Sequence, residues 1–167
     1  MEIMKAMESR RSIRKYRPDP VEPEKLAQIA EAFRLAPSAV NAQNWKLLMV
    51  SDPAVKERIG EALPGGPSFI TAAPVVLIGT CTSQKTMLND HRVDSVDVSI
   101  AMSFVMLEAC ELGLGTCWIG YYKEPELRAA LKLPDTTSIV AIMPLGYADE
   151  SPDPKSRKPI AEVVEYI

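Results

Sequence analysis

The chain has 167 residues, of which 47% are hydrophobic and 25% are charged, and its formal net charge is −3. This composition is that of a globular protein and excludes a disordered chain, while the negative charge argues against general nucleic-acid binding. No stretch has the pattern of a signal peptide or of a membrane-spanning helix. We therefore expect a single cytoplasmic domain over residues 1–167 that does not bind membranes.

The three cysteines and the single histidine form no spacing typical of a zinc site, so we expect no metal. Unpaired thiols are expected, since an odd number of cysteines suits a reducing compartment. His91 lies in a polar stretch and is expected on the surface. Cys117 lies near an expected functional loop, but the sequence supplies no histidine partner that would make it a catalytic thiol.

Helices and strands alternate along the chain. Apolar residues at helical spacing, proline positions and caps predict helices over residues 3–8, from Pro23 to about Leu35, after Asp52-Pro53, over 96–112 and from Pro125. Continuous apolar runs predict strands over residues 46–50, 75–79 and 138–145. The run Pro64-Gly65-Gly66-Pro67 is expected to break the third helix. Alternating elements of this kind indicate a fold of mixed α and β layers.

Two apolar stretches need a surface to cover them. The helix predicted over residues 96–112 is apolar on nearly every side, which places it in the protein core or in an oligomer interface. The C-terminal tail from Ile160 to Ile167 is short and apolar, and it needs something to dock on. Residues 81–95 are polar and irregular, as in a mobile surface segment or a lid over a pocket.

A short basic run near the start of the chain is the clearest candidate binding element. Residues 10–17 hold five cations in eight positions of a chain that is negative overall. Guanidinium groups match the geometry of a phosphate, and Ser12 adds a hydroxyl. Taken alone, the run is more typical of a solvated basic loop. A second cluster with the same chemistry, residues 155–158, favours a phosphate site built from both.

Two further segments have residues suited to a flat ligand. The loop over residues 36–45 is rich in small and amide side chains, which can bind a heterocycle or a polyol, although it also suits a plain connection. The run Gly113-Leu114-Gly115-Thr116 is not a dinucleotide fingerprint, because it follows a helix and its third glycine is misplaced. Its glycines instead favour close approach of the backbone of residues 118–121 to a flat ligand.

In this order, the basic run, the loop over residues 37–45 and the cluster over residues 155–157 resemble the nitroreductase family of FMN-dependent oxidoreductases. The resemblance extends over essentially the whole chain, which is similar to a short member. It implies an α+β fold of three layers, with a central mixed, mostly antiparallel sheet flanked by helices. It also implies an intertwined homodimer with an FMN in each interface pocket.

The resemblance assigns roles residue by residue. Arg14 matches the cation beside the pyrimidine edge of the flavin, and the backbone of Ile119 and Gly120 matches groups that face flavin N5 and O4. The family positions that hold the phosphate and the ribityl chain correspond to Arg10, Ser12, Lys155 and Arg157. The loop that the partner chain contributes corresponds to Pro37, Ser38, Ala39 and Asn41. The implied cofactor-binding set is completed by Arg11, Gln43 and Trp118.

The implied activity is hydride transfer from NAD(P)H through flavin N5 to a nitroaromatic, a quinone or a similar flat acceptor, with no catalytic side chain required. The apolar tail would wrap onto the other subunit. Alternatives are an FMN carrier without nicotinamide-driven turnover, a dehydrogenase or dehalogenase of the same fold, and a basic interaction module. Asn44 stands where the family has proline, and residues 81–94 replace a longer helical excursion. The first difference affects the loop and not the class of ligand, whereas the second leaves the substrate and the use of a nicotinamide open.

Overall fold

The computed structural model describes residues 3–65, 68–83 and 85–167. The helices are α1 (Ile3–Ser9), α2 (Pro23–Leu35), α3 (Pro53–Ala62), α4 (Phe69–Ala72), α5 (Val93–Glu111) and α6 (Glu124–Ala130). The strands are β1 (Trp45–Val50), β2 (Val75–Cys81), β3 (Gly115–Thr116) and β4 (Ser138–Gly146), and short 3₁₀ helices cover Ala39–Asn41 and Ile160–Glu162. Gly66 and Pro67, which were expected to break the third helix, lie outside the described residues.

The strands form one antiparallel sheet in the order β1-β2-β4-β3. Helices together with an antiparallel sheet confirm the α+β class. The named strands within the described residues all pair antiparallel, in line with the mostly antiparallel sheet that the resemblance implies. The parallel component in the described chain is the isolated bridge between Ser12 and Thr116. A single bridged pair is too short to form a strand of its own.

Helices cover both faces of the sheet, which gives the three layers that the family resemblance implies. β2 is buried along its whole length, so its alternating side chains enter two different cores. Leu77 packs with α2 and α5 on one face. Val76 and Ile78 pack with α3, α4 and α6 on the other. Burial on both faces explains the continuous apolar run that identified this strand in the sequence.

The predicted helices and strands are present, and the differences have local causes. α5 begins at Val93 rather than at residue 96, because a buried carboxylate extends its first turn. Asp94 accepts hydrogen bonds from the Arg92 guanidinium and from the Ser95 backbone N–H. The sequence did not predict α4 or β3, which have four and two residues and are too short to show periodicity.

α5 has one face in the core and an apolar face toward solvent. Val98, Met102 and Val105 are fully buried, whereas Phe104 is 41% exposed. Phe104 lies in an apolar groove of about 340 Å³ between α1, α2 and α5, lined by Ile3, Ala6, Ala32, Leu35, Phe104, Leu107, Glu108 and Glu111. The C-terminal tail is also exposed. Within the described residues, the helices are all too short or too polar to cross a lipid bilayer.

The close contact between β2 and α5 gives a test of the fold. A Cβ atom on Gly79 would lie 2.6 Å from Val98 Cγ1 and 3.0 Å from Met102 Cγ. We expect Gly79→Ala to lower the free energy of unfolding by about 1–3 kcal/mol, because the added methyl group overpacks the core. Urea denaturation measures this change. Gly120→Ala is the control, since no atom lies within 4 Å of its Cβ position. Equal stability of both variants would contradict this packing.

Candidate functional site

The two basic clusters line one cavity, although they lie at opposite ends of the sequence. This basic cavity has a volume of about 630 Å³ and lies between the end of α1 and the C-terminal segment. It is lined by Met7, Glu8, Arg10, Arg11, Ser12, Arg14, Glu150, Pro152, Asp153, Pro154, Lys155 and Arg157. The lining has five cationic side chains and three carboxylates. The cavity is therefore suited to an anion.

The edge of the sheet holds the basic run in place. The backbone N–H of Ile13 donates to the carbonyl oxygen of Thr116 at 2.9 Å, and the Ile13 side chain is buried. A Cβ atom on Gly115 would lie 2.7 Å from Ile13, so this glycine makes room for the run. The phenol of Tyr16 donates to the Ile13 carbonyl oxygen at 2.6 Å. One apolar side chain thus anchors a run whose other members are mostly polar.

The chain after β4 returns to the basic run. Arg17 N–H donates to the Tyr147 carbonyl oxygen, and Asp149 N–H donates to the Lys15 carbonyl oxygen, both at 2.9 Å. Asp149 also forms an ion pair with the Lys15 ammonium at 2.8 Å. One oxygen of Glu150 accepts from the backbone N–H groups of Arg14 and Lys15. These contacts bring Lys155 and Arg157 to the cavity.

Three guanidinium groups of the cavity donate to backbone carbonyl oxygens. Arg11 donates to Glu8 at 2.7 Å, and Arg14 donates to Ser12 at 3.4 Å. Arg157 donates to Lys155 and Ser156 at 3.2 and 3.1 Å. Each guanidinium has five N–H donors, so these contacts hold the side chains while leaving donors for an anion.

Cys117 is buried next to the basic run, and Tyr16, which belongs to that run, is partly buried. Burial raises the pKa of the Cys117 thiol, although the nearby Arg14 and Ser12 act in the opposite direction. Burial also raises the pKa of Tyr16, and the closeness of Cys117 adds to this. Both groups therefore stay protonated at neutral pH. A neutral, buried thiol is a poor nucleophile.

The loop over residues 37–44 is held in a strained conformation by a buried carboxylate. Val40, Asn41 and Gln43 have positive φ angles of 49°, 56° and 51°. For a β-branched residue such as Val40, this conformation costs about 1–2 kcal/mol. The Ala39 N–H donates to both oxygens of Asp97 at 3.1 and 3.2 Å, and Asp97 is buried on α5. The loop is thus fixed in place before any ligand binds.

Hydrogen bonds within the same loop arrange its polar side chains. The Gln43 N–H donates to Ser38 Oγ at 3.1 Å, and the Gln43 amide donates to Asn41 Oδ1 at 3.2 Å. The loop residues Pro37, Ser38, Ala39, Asn41 and Gln43 do not line the basic cavity. In one chain, the structure therefore separates these predicted site residues from the basic clusters.

The two groups of residues lie at opposite ends of α5. Asp97, which binds the loop, is in the first turns of the helix. Cys110 is in its last turn, with its sulfur 3.4 Å from Ser9 Oγ of α1, beside the basic run. Thirteen residues separate the two positions, which corresponds to about 20 Å along a helix axis.

The segment after β3 is also outside the basic cavity. Ile119 pairs with Ile142 through two backbone hydrogen bonds of 2.9 and 3.1 Å, so both of its backbone groups are used within the sheet. Trp118 is 36% exposed, and Gly120 is exposed. Of the backbone groups expected to face the flavin, those of Ile119 are thus engaged with β4.

Residues 86–92 form a turn in the segment expected to be irregular. Thr86 bridges Arg92, and the Met87 N–H donates to the His91 carbonyl oxygen at 2.8 Å. Leu88 is fully exposed on this turn, and His91 is exposed, as predicted.

Sequence reasoning missed the carboxylates that hold the site together. Asp97 lies on the buried face of an apolar helix, a position where an acidic residue is rare without a partner. That signal was available in the sequence. Asp149 and Glu150 lie in a segment that sequence reasoning treated only as extended, and nothing local indicates that they bind residues 14–15. Their role depends on contacts between the two ends of the chain.

Comparisons with known proteins show the family to which the chain is similar. The sequence signature of the Nitroreductase family matches residues 7–68 and 64–147. An FMN reductase [NAD(P)H] of Bacillus subtilis is 32% identical over 95% of this chain and 70% of its own. An NADH dehydrogenase of Thermus thermophilus is 30% identical over 93% of this chain and 91% of its own. The structure of an FMN-dependent nitroreductase from Clostridium difficile superposes with a TM-score of 0.80, at 31% identity, over 92% of this chain and 91% of that one.

Proposed function

This chain belongs to the nitroreductase family, and we propose that it is an FMN-dependent oxidoreductase. We also propose that its whole length forms a single FMN-binding domain. In this proposal it passes hydride from NAD(P)H to a nitroaromatic, a quinone or a similar flat acceptor. The observation that carries the proposal is the meeting of the two basic clusters in one cavity. Those clusters hold the residues that the family resemblance assigns to the cofactor phosphate.

The chemistry of the cavity fits FMN. A phosphate monoester carries nearly two negative charges at neutral pH, and the five cations of the lining exceed its three carboxylates by two. Arginine side chains bind phosphate oxygens in pairs, and the Ser12 hydroxyl adds a further donor. The volume of about 630 Å³ is within the usual range for a site that holds a small molecule or cofactor.

In this proposal, the residues of the chain bind FMN and orient it. When bound, FMN supplies the two-electron chemistry of hydride uptake and release. Arg10, Lys155 and Arg157 hold the phosphate end in this proposal. Arg14 supplies a fixed positive charge that favours the more negative, reduced form of the cofactor. Burial keeps Tyr16 and Cys117 protonated, so these two groups support the site and do not act as nucleophiles.

The proposal includes a homodimer in which the partner completes the site. Within one chain, about 20 Å of α5 separates the strained loop from the basic cavity. Two copies packed through antiparallel α5 helices would bring the loop of one chain to the cavity of the other. The exposed Phe104 and the apolar groove beside it supply a surface for that packing. The exposed apolar tail supports the same arrangement, since it would gain cover on the second chain.

Absorbance spectroscopy tests the activity. We expect the purified protein to be yellow, to lose the flavin absorbance when NADH or NADPH is added without oxygen, and to regain it when a nitroarene or quinone follows. A bound flavin that neither nicotinamide reduces would favour the carrier alternative. Reduction without reoxidation by these acceptors would favour a dehydrogenase or dehalogenase. A protein that takes up no FMN would contradict the proposal.

Removing one cation tests the phosphate site. We expect Arg10→Ala to weaken FMN binding by about 1.5–3 kcal/mol, roughly 10- to 150-fold, because a charge-assisted hydrogen bond to the phosphate is lost. Fluorescence quenching of FMN measures this affinity. Lys123→Ala is the matched control, since it removes a positive charge next to α6, on the other face of the sheet. Unchanged affinity in Arg10→Ala, or an equal loss in both variants, would remove Arg10 from the site.

A further inference from the structure

Glu150 places a negative charge in a cavity suited to an anion. Its side chain lines the basic cavity together with Arg10, Arg14, Lys155 and Arg157. A carboxylate among these cations weakens the positive potential that attracts a phosphate. By charge alone, the site would bind FMN better without it. The position of Glu150 therefore needs a reason other than attraction of the phosphate.

The contacts of Glu150 supply that reason. Its Oε1 atom accepts from two successive backbone N–H groups in the middle of the basic run, those of Arg14 and Lys15. Hydrogen bonds to a charged acceptor are about twice as strong as neutral ones. One side chain near the C-terminus thus fixes the backbone of the N-terminal run.

Neighbouring contacts extend this attachment, which we call the clasp and define as residues 13–17 and 147–150. Tyr16 and Ala148 form an antiparallel bridge. Asp149 binds Lys15 through both its backbone N–H, at 2.9 Å, and its carboxylate, at 2.8 Å. Glu150 is the last residue of the clasp, and it lines the cavity together with Arg14.

The chain beyond the clasp has little structure of its own. Residues 151–159 form neither helix nor strand, and most of their side chains are exposed. Pro152 and Pro154 restrict the backbone over this stretch. The positions of Lys155 and Arg157 are therefore set mainly by the position of Glu150, at the end of the clasp.

We propose that Glu150 is a positioning residue that holds the C-terminal cations opposite the N-terminal run, so that both clusters face one phosphate. The consequence for FMN rests on the proposed function. The two roles of Glu150 predict opposite effects on phosphate binding when this side chain is removed. Loss of its negative charge alone would strengthen phosphate binding. Loss of the clasp would weaken it. The sign of the change therefore separates the two roles.

The experiment compares Glu150→Ala, Glu150→Gln and Asp153→Asn in the full chain. Binding of FMN and of riboflavin, which lacks the phosphate, is measured by fluorescence quenching, and backbone amide exchange is measured at residues 14 and 15. Glu150→Gln keeps an acceptor oxygen without the charge. Asp153→Asn removes a carboxylate from the same cavity and leaves Glu150 in place.

We expect Glu150→Ala to weaken FMN binding at least tenfold, to change riboflavin binding by less than about twofold, and to speed exchange at residues 14 and 15. Glu150→Gln should bind FMN within about threefold of the unmodified chain. Asp153→Asn should not weaken FMN binding or change the exchange at these two amides.

Three results would overturn the inference. Glu150→Ala that binds FMN as tightly as the unmodified chain, or more tightly, would show that Glu150 acts only as a charge. Equal losses for FMN and riboflavin would show general damage to the site. Unchanged amide exchange at residues 14 and 15 would show that the clasp does not depend on Glu150. If the unmodified chain binds no FMN, the proposed function fails, and the amide exchange still decides whether Glu150 holds the clasp.

Discussion

Pairing between the two ends of the chain at one edge of the sheet is the constraint on which the site depends. The backbone N–H of Ile13 donates to the carbonyl oxygen of Thr116 in β3. Just after β4, residue 147 forms a backbone hydrogen bond with residue 17, and residue 149 forms one with residue 15. β3 and β4 pair with each other, so both attachments share one framework. Cations that are about 145 positions apart in sequence thereby reach one cavity. A change in this edge would separate the clusters without altering either one.

Bringing like charges together has a cost, and the carboxylates near the cavity reduce it. Glu8, Glu150 and Asp153 line the same cavity as the five cations. Asp149 pairs with Lys15 just outside it. The remaining positive charge is close to what one phosphate monoester would neutralise. The site is thus arranged for an anion in the folded chain, and a bound phosphate would have little rearrangement to induce.

Much of the fold could be predicted from local sequence, because the long elements have clear periodicity and caps. The fully buried β2 and the helix that begins at Pro23 are examples. The basic clusters could be recognised because their chemistry contrasts with a negative chain. The buried Asp97 and the exposed Glu150 could not be assigned roles, since their partners lie 58 and 136 positions away. The mostly antiparallel pairing of the sheet was expected from the family resemblance and not from local sequence, because strand pairing depends on long-range contacts.

A structure of the protein from crystals grown with FMN tests the central claim most directly. The account predicts one phosphate in contact with Arg10 on one side and with Lys155 or Arg157 on the other, all from the same chain. It also predicts that the flavin ring rests against residues 37–43 of a second chain. A phosphate bound away from either cluster, or a ring enclosed by one chain alone, would contradict it.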